Sequence, residues 1–87
     1  MGWTLEFTPA ARKSLRKLNV KVAERITSSI AEIATLDDPR LRGHAFVGKL
    51  RGLWRYRIED WRIIVRIEDR RLVVLVLAIG HRREVYD

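Results

Sequence analysis

The sequence lacks several features, and each absence excludes a class of protein. It contains no cysteine, so neither disulfides nor cysteine-ligated zinc can stabilise the fold. Its longest apolar run, LVVLVLAIG, has the length of a strand and falls well short of the ~20 residues of a membrane-spanning helix. The N-terminus lacks the charged-then-apolar order of a signal peptide. We therefore expect a cytoplasmic protein without a membrane segment.

The chain is short but has the composition of a folded protein. Its 87 residues leave room for one domain with a modest core, which we assign to residues 1–87. Hydrophobic residues make up 47% of the chain and fall in periodic blocks, which argues against disorder. Packing must therefore provide most of the stability.

Positive charge is abundant and concentrated in the second half. The net charge is +7, and residues 40–87 hold twelve Lys and Arg against six Asp and Glu. In residues 1–39 the corresponding numbers are six and five. Arginine accounts for fourteen of the eighteen cations, and its planar fork suits phosphate recognition better than the point charge of lysine. This composition favours binding to a polyanion.

The first half predicts one strand followed by two helices. Thr8 is a suitable N-cap and Pro9 fits the first helical position. Asn19 separates the two helices and caps the second, which ends before Asp37-Asp38-Pro39. The segments are WTLEFT for the strand, AARKSLRKL for the first helix and VKVAERITSSIAEIATL for the second.

The second half predicts a loop over residues 40–52 and then three strands. A two-residue turn at Glu59-Asp60 makes LWRYRIEDWRIIVR a hairpin, and LVVLVLAI is apolar on both faces, as an interior strand is. The fold class is therefore α+β, with the order β-α-α-β-β-β. We expect the two helices on one face of a mainly antiparallel, four-stranded sheet.

The hairpin register separates two kinds of side chain. Aromatic and aliphatic residues point to the core side, in the pairs Ile58–Trp61, Tyr56–Ile63 and Trp54–Val65. On the other face Arg57 lies opposite Arg62, and Arg55 lies beside Ile64. Like charges directly opposite one another destabilise a sheet unless an anion lies between them. The pattern thus predicts an open, basic face.

Three motifs together resemble the RelE/ParE superfamily of bacterial toxins, and its RelE branch more closely. They are KLRG at residues 49–52, WRYRIEDWRIIVRI at 54–67 and GHRREVY at 80–86. The resemblance implies a RelE-like fold and a toxin of a toxin–antitoxin pair that cleaves messenger RNA in the ribosomal A site without a metal or cofactor. It also implies a cognate antitoxin, through which the complex binds operator DNA.

The same resemblance carries over five site residues, namely Arg55, Arg57, Arg62, Arg82 and Tyr86. With His81 added as a candidate, the predicted catalytic group comprises Arg57, Arg62, Arg82, Tyr86 and His81. The predicted RNA-binding group comprises Arg55 and three neighbouring cations, Lys49, Arg51 and Arg83. Metal-free cleavage uses the 2′-hydroxyl of the substrate to attack the adjacent phosphate. Guanidinium groups stabilise the charge that develops there, and an aromatic ring stacks on a base.

The family's best-known members carry lysine where this sequence has Arg57, and that lysine is a candidate general base. Arginine is effectively never deprotonated in proteins, so Arg57 is better interpreted as a phosphate clamp. The remaining candidates for the base are His81, Glu84 and Lys49, and histidine titrates closest to neutral pH. His44 sits in the predicted loop with no pattern around it, so we assign it no role.

Two other functions are compatible with the resemblance. One is a ParE-like toxin that binds and inhibits DNA gyrase without being an enzyme. The other is an inactive relative that only binds its antitoxin and regulates its own operon. The arginine cluster with Arg82 and Tyr86 favours the nuclease over the gyrase inhibitor, because a gyrase inhibitor has no evident need for a phosphate-centred site.

Overall fold

The computed structural model describes residues 2–81. These residues form two α-helices, five β-strands and two short 3₁₀ helices. The α-helices are α1 (Pro9–Lys17) and α2 (Val20–Ile33), and the strands are β1 (Thr4–Phe7), β2 (His44–Ala45), β3 (Trp54–Ile58), β4 (Trp61–Glu68) and β5 (Val73–His81). The 3₁₀ helices, Pro39–Arg42 and Gly48–Leu50, flank β2.

Both helices begin where the sequence predicts. The Thr8 hydroxyl oxygen accepts a hydrogen bond from the backbone N–H of Ala11 at 3.1 Å, and Pro9 lies in the first turn of α1. The same hydroxyl donates to the carbonyl oxygen of Leu77 at 3.0 Å, which ties the start of α1 to β5. The Asn19 side-chain oxygen caps α2 by accepting the backbone N–H of Lys21 at 2.9 Å.

The sheet confirms the α+β class and corrects the number of strands. Its order is β1-β5-β4-β3-β2, with β1 parallel to β5 and the other neighbours antiparallel. The fifth strand is β2, which lies inside the region we expected to be a loop. Two residues are too few to show the alternation by which a strand is predicted from sequence.

The β3–β4 hairpin has the predicted register. Ile58 pairs with Trp61, and the pairing continues through Tyr56–Ile63 to Trp54–Val65. Glu59, in the turn, has a φ of 55°, a left-handed conformation that glycine or asparagine would adopt with less strain. The side chains thus hold this register despite an unfavourable turn residue.

The helices cover one face of the sheet and enclose the core. The residues buried there are Ala11, Ile26, Ile30, Ile33, Tyr56, Ile63, Val65, Ile67, Val74, Val76 and Ile79, and partly buried Trp54 and Trp61 pack against them. The Tyr56 hydroxyl donates to the carbonyl oxygen of Pro39 at 2.8 Å. Burial of the ring raises the pKa of Tyr56 to about 12. The hairpin aromatics are therefore core residues, as predicted.

No helix among residues 2–81 is long and apolar enough to cross a membrane.

Candidate nucleic-acid interface

The sheet face opposite the helices, which we call the arginine face, carries the predicted juxtaposition of charge. Arg57 on β3 lies directly across from Arg62 on β4. Arg55 lies on the same face, two residues before Arg57, because side chains alternate along a strand. Arg57 is exposed, whereas Arg55 and Arg62 are partly buried. Arg66, four residues after Arg62 on β4, lies on the same face and is exposed, so the face presents four guanidinium groups from two adjacent strands.

Gly80 completes this row on the third strand. It pairs with Arg62 across the β4–β5 ladder. Gly80 contributes no side chain at this point of the ladder, and the residue itself is buried.

The arginine face extends to the β2 edge. His44 pairs with Arg55 and is exposed. The guanidinium carbon of Arg55 lies 5.6 Å from the centroid of the Phe46 ring, within cation–π range. The sequence pattern indicates no role for either His44 or Phe46. The two-residue strand β2 gives no periodic signal. Beyond that pattern, the only sequence feature that indicates a role for Phe46 is its place in a basic part of the chain.

Lys49 and Arg51 lie away from this cluster. Both are exposed, and they belong to the connection between β2 and β3. That connection and the Glu59-Asp60 turn are at opposite ends of β3. The structure therefore separates these two cations from the Arg57–Arg62 pair by most of the length of a strand.

His81 lies on the other side of the sheet. It pairs with Trp61, and the two rings make an edge-to-face contact with centroids 5.3 Å apart and planes at 86°. Trp61 packs against the core, so the His81 ring is on the helix side. The structure does not bring His81 together with Arg57 and Arg62.

A β-bulge accounts for the position of His81. Ile64 pairs with Ala78 whereas the next residue, Val65, pairs with Val76, so Leu77 is an extra residue on β5. Before the bulge the core side is taken by Val74 and Val76, and after it by Ile79. The extra residue thus inverts the alternation, and His81 follows Ile79 to the helix side.

The predicted tail residues Arg82, Arg83, Glu84 and Tyr86 lie outside the described residues. The described part of β5 ends at His81, next to Gly80 and Arg62. The chain therefore reaches the arginine-bearing end of the hairpin immediately before these residues.

Arg40 and Arg71 are each held in ion pairs with two carboxylates. Arg40 contacts Asp69 at 2.6 Å and Asp38 at 3.3 Å, while Arg71 contacts Glu6 at 3.0 Å and Glu68 at 2.9 Å. The hydrogen bond from Arg40 lowers the pKa of Asp69 and raises the pKa of Arg40 itself. These arginines connect elements of the fold. Arg40 joins the Pro39–Arg42 segment to the turn after β4, and Arg71 joins that turn to β1.

Residues 2–81 contain no group of three or more His, Asp or Glu side chains placed to hold a metal ion.

The family model described as the ParE toxin of the type II toxin–antitoxin system parDE matches residues 5–86. The chain belongs to this toxin family. Toxin RelG of Mycobacterium tuberculosis is 32% identical to it over 89 residues, covering 99% of this chain and 98% of RelG. The protein is thus a toxin of a type II toxin–antitoxin system, as the resemblance to the RelE/ParE superfamily predicts.

Solved structures of toxins with this fold agree with that assignment. The toxin–antitoxin complex RelBE2 of Mycobacterium tuberculosis matches with a TM-score of 0.83 and 26% identity, covering 94% of this chain and 93% of the matched chain. The isolated E. coli RelE toxin matches with a TM-score of 0.74 and 25% identity, covering 91% of this chain and 83% of RelE. The fold of this toxin is therefore RelE-like.

Proposed function

We propose that this toxin is a metal-independent endoribonuclease that cleaves messenger RNA in the ribosomal A site and so inhibits translation. The observation that carries the proposal is the direct juxtaposition of Arg57 and Arg62 on the arginine face. Like charges directly opposite one another on a sheet repel, on the scale of about 0.2–1 kcal/mol for cross-strand pairs. A phosphate bound between the two guanidinium groups removes that repulsion and gains charge-assisted hydrogen bonds.

The reaction follows from the needs of metal-free RNA cleavage. The 2′-oxygen of the substrate forms a bond to the adjacent phosphorus, and the bond from phosphorus to the 5′-oxygen breaks, leaving a 2′,3′-cyclic phosphate. A base takes the 2′-hydroxyl proton, and the leaving oxygen takes up a proton. Arg57 and Arg62 stabilise the negative charge on the phosphate oxygens during this step.

The geometry favours His44 over His81 as the proton acceptor. Arg57 cannot act as the base because arginine stays protonated. His44 lies across from Arg55 on the arginine face, whereas the His81 ring packs on Trp61 on the helix side. Lys49 is exposed at the far end of β3, and Glu84 lies outside the described residues.

The remaining predicted residues complete the substrate contacts in this proposal. Arg82 stabilises the reacting phosphate, and Tyr86 stacks under a base so that the strand is splayed for in-line attack. Arg55 and Arg83 contact the RNA backbone nearby. Lys49 and Arg51 contact the RNA backbone farther from the cleavage site, at the end of β3 that lies near Phe46.

A cognate antitoxin would hold the toxin inactive in the cytoplasm. Several of the solved structures with this fold are toxin–antitoxin complexes, including RelBE2 of Mycobacterium tuberculosis. An acidic or amphipathic segment laid over the arginine face would complement the +7 charge and exclude RNA. Any binding of the complex to operator DNA would then come from the antitoxin.

The second candidate is a toxin that inhibits DNA gyrase by binding it. The description of the matching family as the toxin of parDE favours it, because ParE-like toxins include gyrase inhibitors. Such a toxin needs no phosphate-centred site, so it leaves the Arg57–Arg62 pair without an explanation.

Primer extension on translated messenger RNA from cells expressing the toxin distinguishes the two functions. The nuclease proposal predicts cuts in phase with codons, and it predicts that His44→Ala reduces them more than His81→Ala. DNA damage with intact messenger RNA would instead support gyrase inhibition. Intact RNA and DNA in cells that grow normally would point to an inactive relative that binds only its antitoxin.

A further inference from the structure

We infer that Phe46 and Arg55 form a stacking surface for one base of single-stranded RNA, beside the phosphate held by Arg57 and Arg62. The inference rests on the proposed nuclease function and adds to it how the substrate strand is positioned. Nothing in the sequence pattern assigns Phe46 to the site.

The backbone places Phe46 on the arginine face. His44 pairs with Arg55 and Ala45 with Trp54. The N–H of Phe46 donates to the carbonyl oxygen of Leu53 at 3.0 Å, so the pairing continues one residue beyond β2. Since side chains alternate, Phe46 shares the face of His44 and lies diagonally across from Arg55.

Core packing does not account for the position of Phe46. Among the described residues, Trp3, Phe7, Trp54, Tyr56 and Trp61 belong to the core or pack against it, whereas Phe46 does not. The next residue, Val47, is 85% exposed. The ring is partly exposed at the sheet edge, and the Arg55 guanidinium makes a cation–π contact with it.

An arginine plane held against an aromatic ring has the chemistry that unstacked RNA bases recognise. Bases of single-stranded RNA stack on aromatic side chains and on guanidinium planes, and the outer edge of the guanidinium can still donate to a phosphate. A paired duplex cannot use such a surface, because its bases are already stacked on one another. The occupant is therefore a base of an unpaired strand.

The spacing along β3 connects this surface to the reacting phosphate. Arg55 and Arg57 are alternate residues of one strand, so their Cα atoms are about 7 Å apart. A base on the Phe46–Arg55 surface therefore belongs to a nucleotide next to the scissile bond. This contact would help to hold the 2′-oxygen in line with the leaving oxygen.

The test is single-turnover cleavage of a defined messenger on ribosomes programmed with it, using Phe46→Leu, Phe46→Trp and Val47→Ala. Leucine retains apolar volume but cannot stack, so Phe46→Leu should slow cleavage about fivefold or more. Phe46→Trp should cleave at close to the wild-type rate. Val47→Ala, the neighbouring control in the same connection, should also match the wild type.

Thermal unfolding of the same variants separates stacking from packing. If the ring acts by stacking, Phe46→Leu should lose activity but unfold at the same temperature as Phe46→Trp. If both variants lose activity in proportion to lost stability, the ring is structural and the inference is overturned. The inference is also overturned if Phe46→Leu cleaves like the wild type, or if the substitution weakens only antitoxin binding. In either of these cases the proposed nuclease function still stands. If the wild type does not cleave the messenger, the stacking inference and the proposed nuclease function both fail.

Discussion

The two faces of the β3–β4 hairpin carry opposite kinds of side chain. On the helix side Tyr56, Ile63 and Val65 are at most 1% exposed and pack into the core. On the arginine face, one residue away along the same strands, Arg57 lies opposite Arg62. The same backbone thus supports an apolar interior and a concentration of like charge.

The contrast shows how stability and function are divided within one small sheet. Apolar burial on the helix side stabilises the fold, whereas the arginine face places two like charges opposite one another. Arg40 supports the fold, because it contacts two carboxylates and connects separate segments of the chain. In our proposal the Arg57–Arg62 pair serves the substrate instead.

The largest effect is expected on the arginine face. Arg57→Ala should reduce messenger cleavage about 100-fold or more, because it removes a preorganised donor to the transition state. The free energy of unfolding should change by no more than about 0.5 kcal/mol, because Arg57 is exposed and lies outside the core. Arg57→Lys is the matched control and should retain part of the activity through its charge. If Arg57→Ala lost cleavage only in proportion to its loss of folded protein, the division of function and stability between the two faces would be contradicted.

The helix side should behave in the opposite way. Ile63→Ala leaves a cavity in the core and should lower the free energy of unfolding by about 2–5 kcal/mol. Chemical denaturation measures this loss, and cleavage should be normalised to the folded fraction. The activity per folded molecule should remain close to that of the wild type. A specific loss of cleavage in the folded fraction would mean that this face also takes part in the reaction.

Tyr56→Phe should have a smaller effect with a characteristic pH dependence. Loss of the hydroxyl leaves the Pro39 carbonyl oxygen without its 2.8 Å hydrogen bond and should cost about 1–3 kcal/mol. The folded-state pKa of Tyr56, raised from 10.0 to about 12, means that its contribution is complete below pH 10 and is lost towards pH 12. The stability difference between wild type and variant should shrink over that interval. A constant difference from pH 9 to pH 12 would contradict this account.

Asp69→Asn should have the smallest effect, because it removes an exposed partner of Arg40. Arg40 lowers the folded-state pKa of Asp69, so this pair stabilises the fold above the ordinary aspartate pKa and ceases to do so as the pH falls through the lowered value. The variant should be slightly less stable than the wild type at neutral pH, with the difference vanishing in acid. Urea denaturation at both pH values measures it, and cleavage should not change.

The regular parts of this fold could be predicted from the sequence because each has a strong local signal. Thr8 and Asn19 mark the helix starts, and both caps are confirmed. The alternation of aromatic and basic residues fixes the hairpin register and therefore the Arg57–Arg62 pair. A strict period of two leaves only one register that buries the apolar residues.

The irregular parts could not be predicted, for two physical reasons. Strand β2 is too short for periodicity, so the places of His44 and Phe46 beside Arg55 were missed. The side of the sheet on which His81 lies depends on the extra residue Leu77. Because β5 is apolar on both faces, its sequence does not reveal this bulge. Both features arise from pairing with a distant strand.

The measurement that tests the central claim most directly is the single-turnover cleavage rate of Arg62→Ala per folded molecule. Arg62 is adjacent to Ile63 on β4, so the variant changes one face and leaves the other intact. We predict a rate about 100-fold or more below that of the wild type for the same amount of folded protein. Wild-type cleavage by folded Arg62→Ala would contradict the claim that the arginine face holds the reacting phosphate.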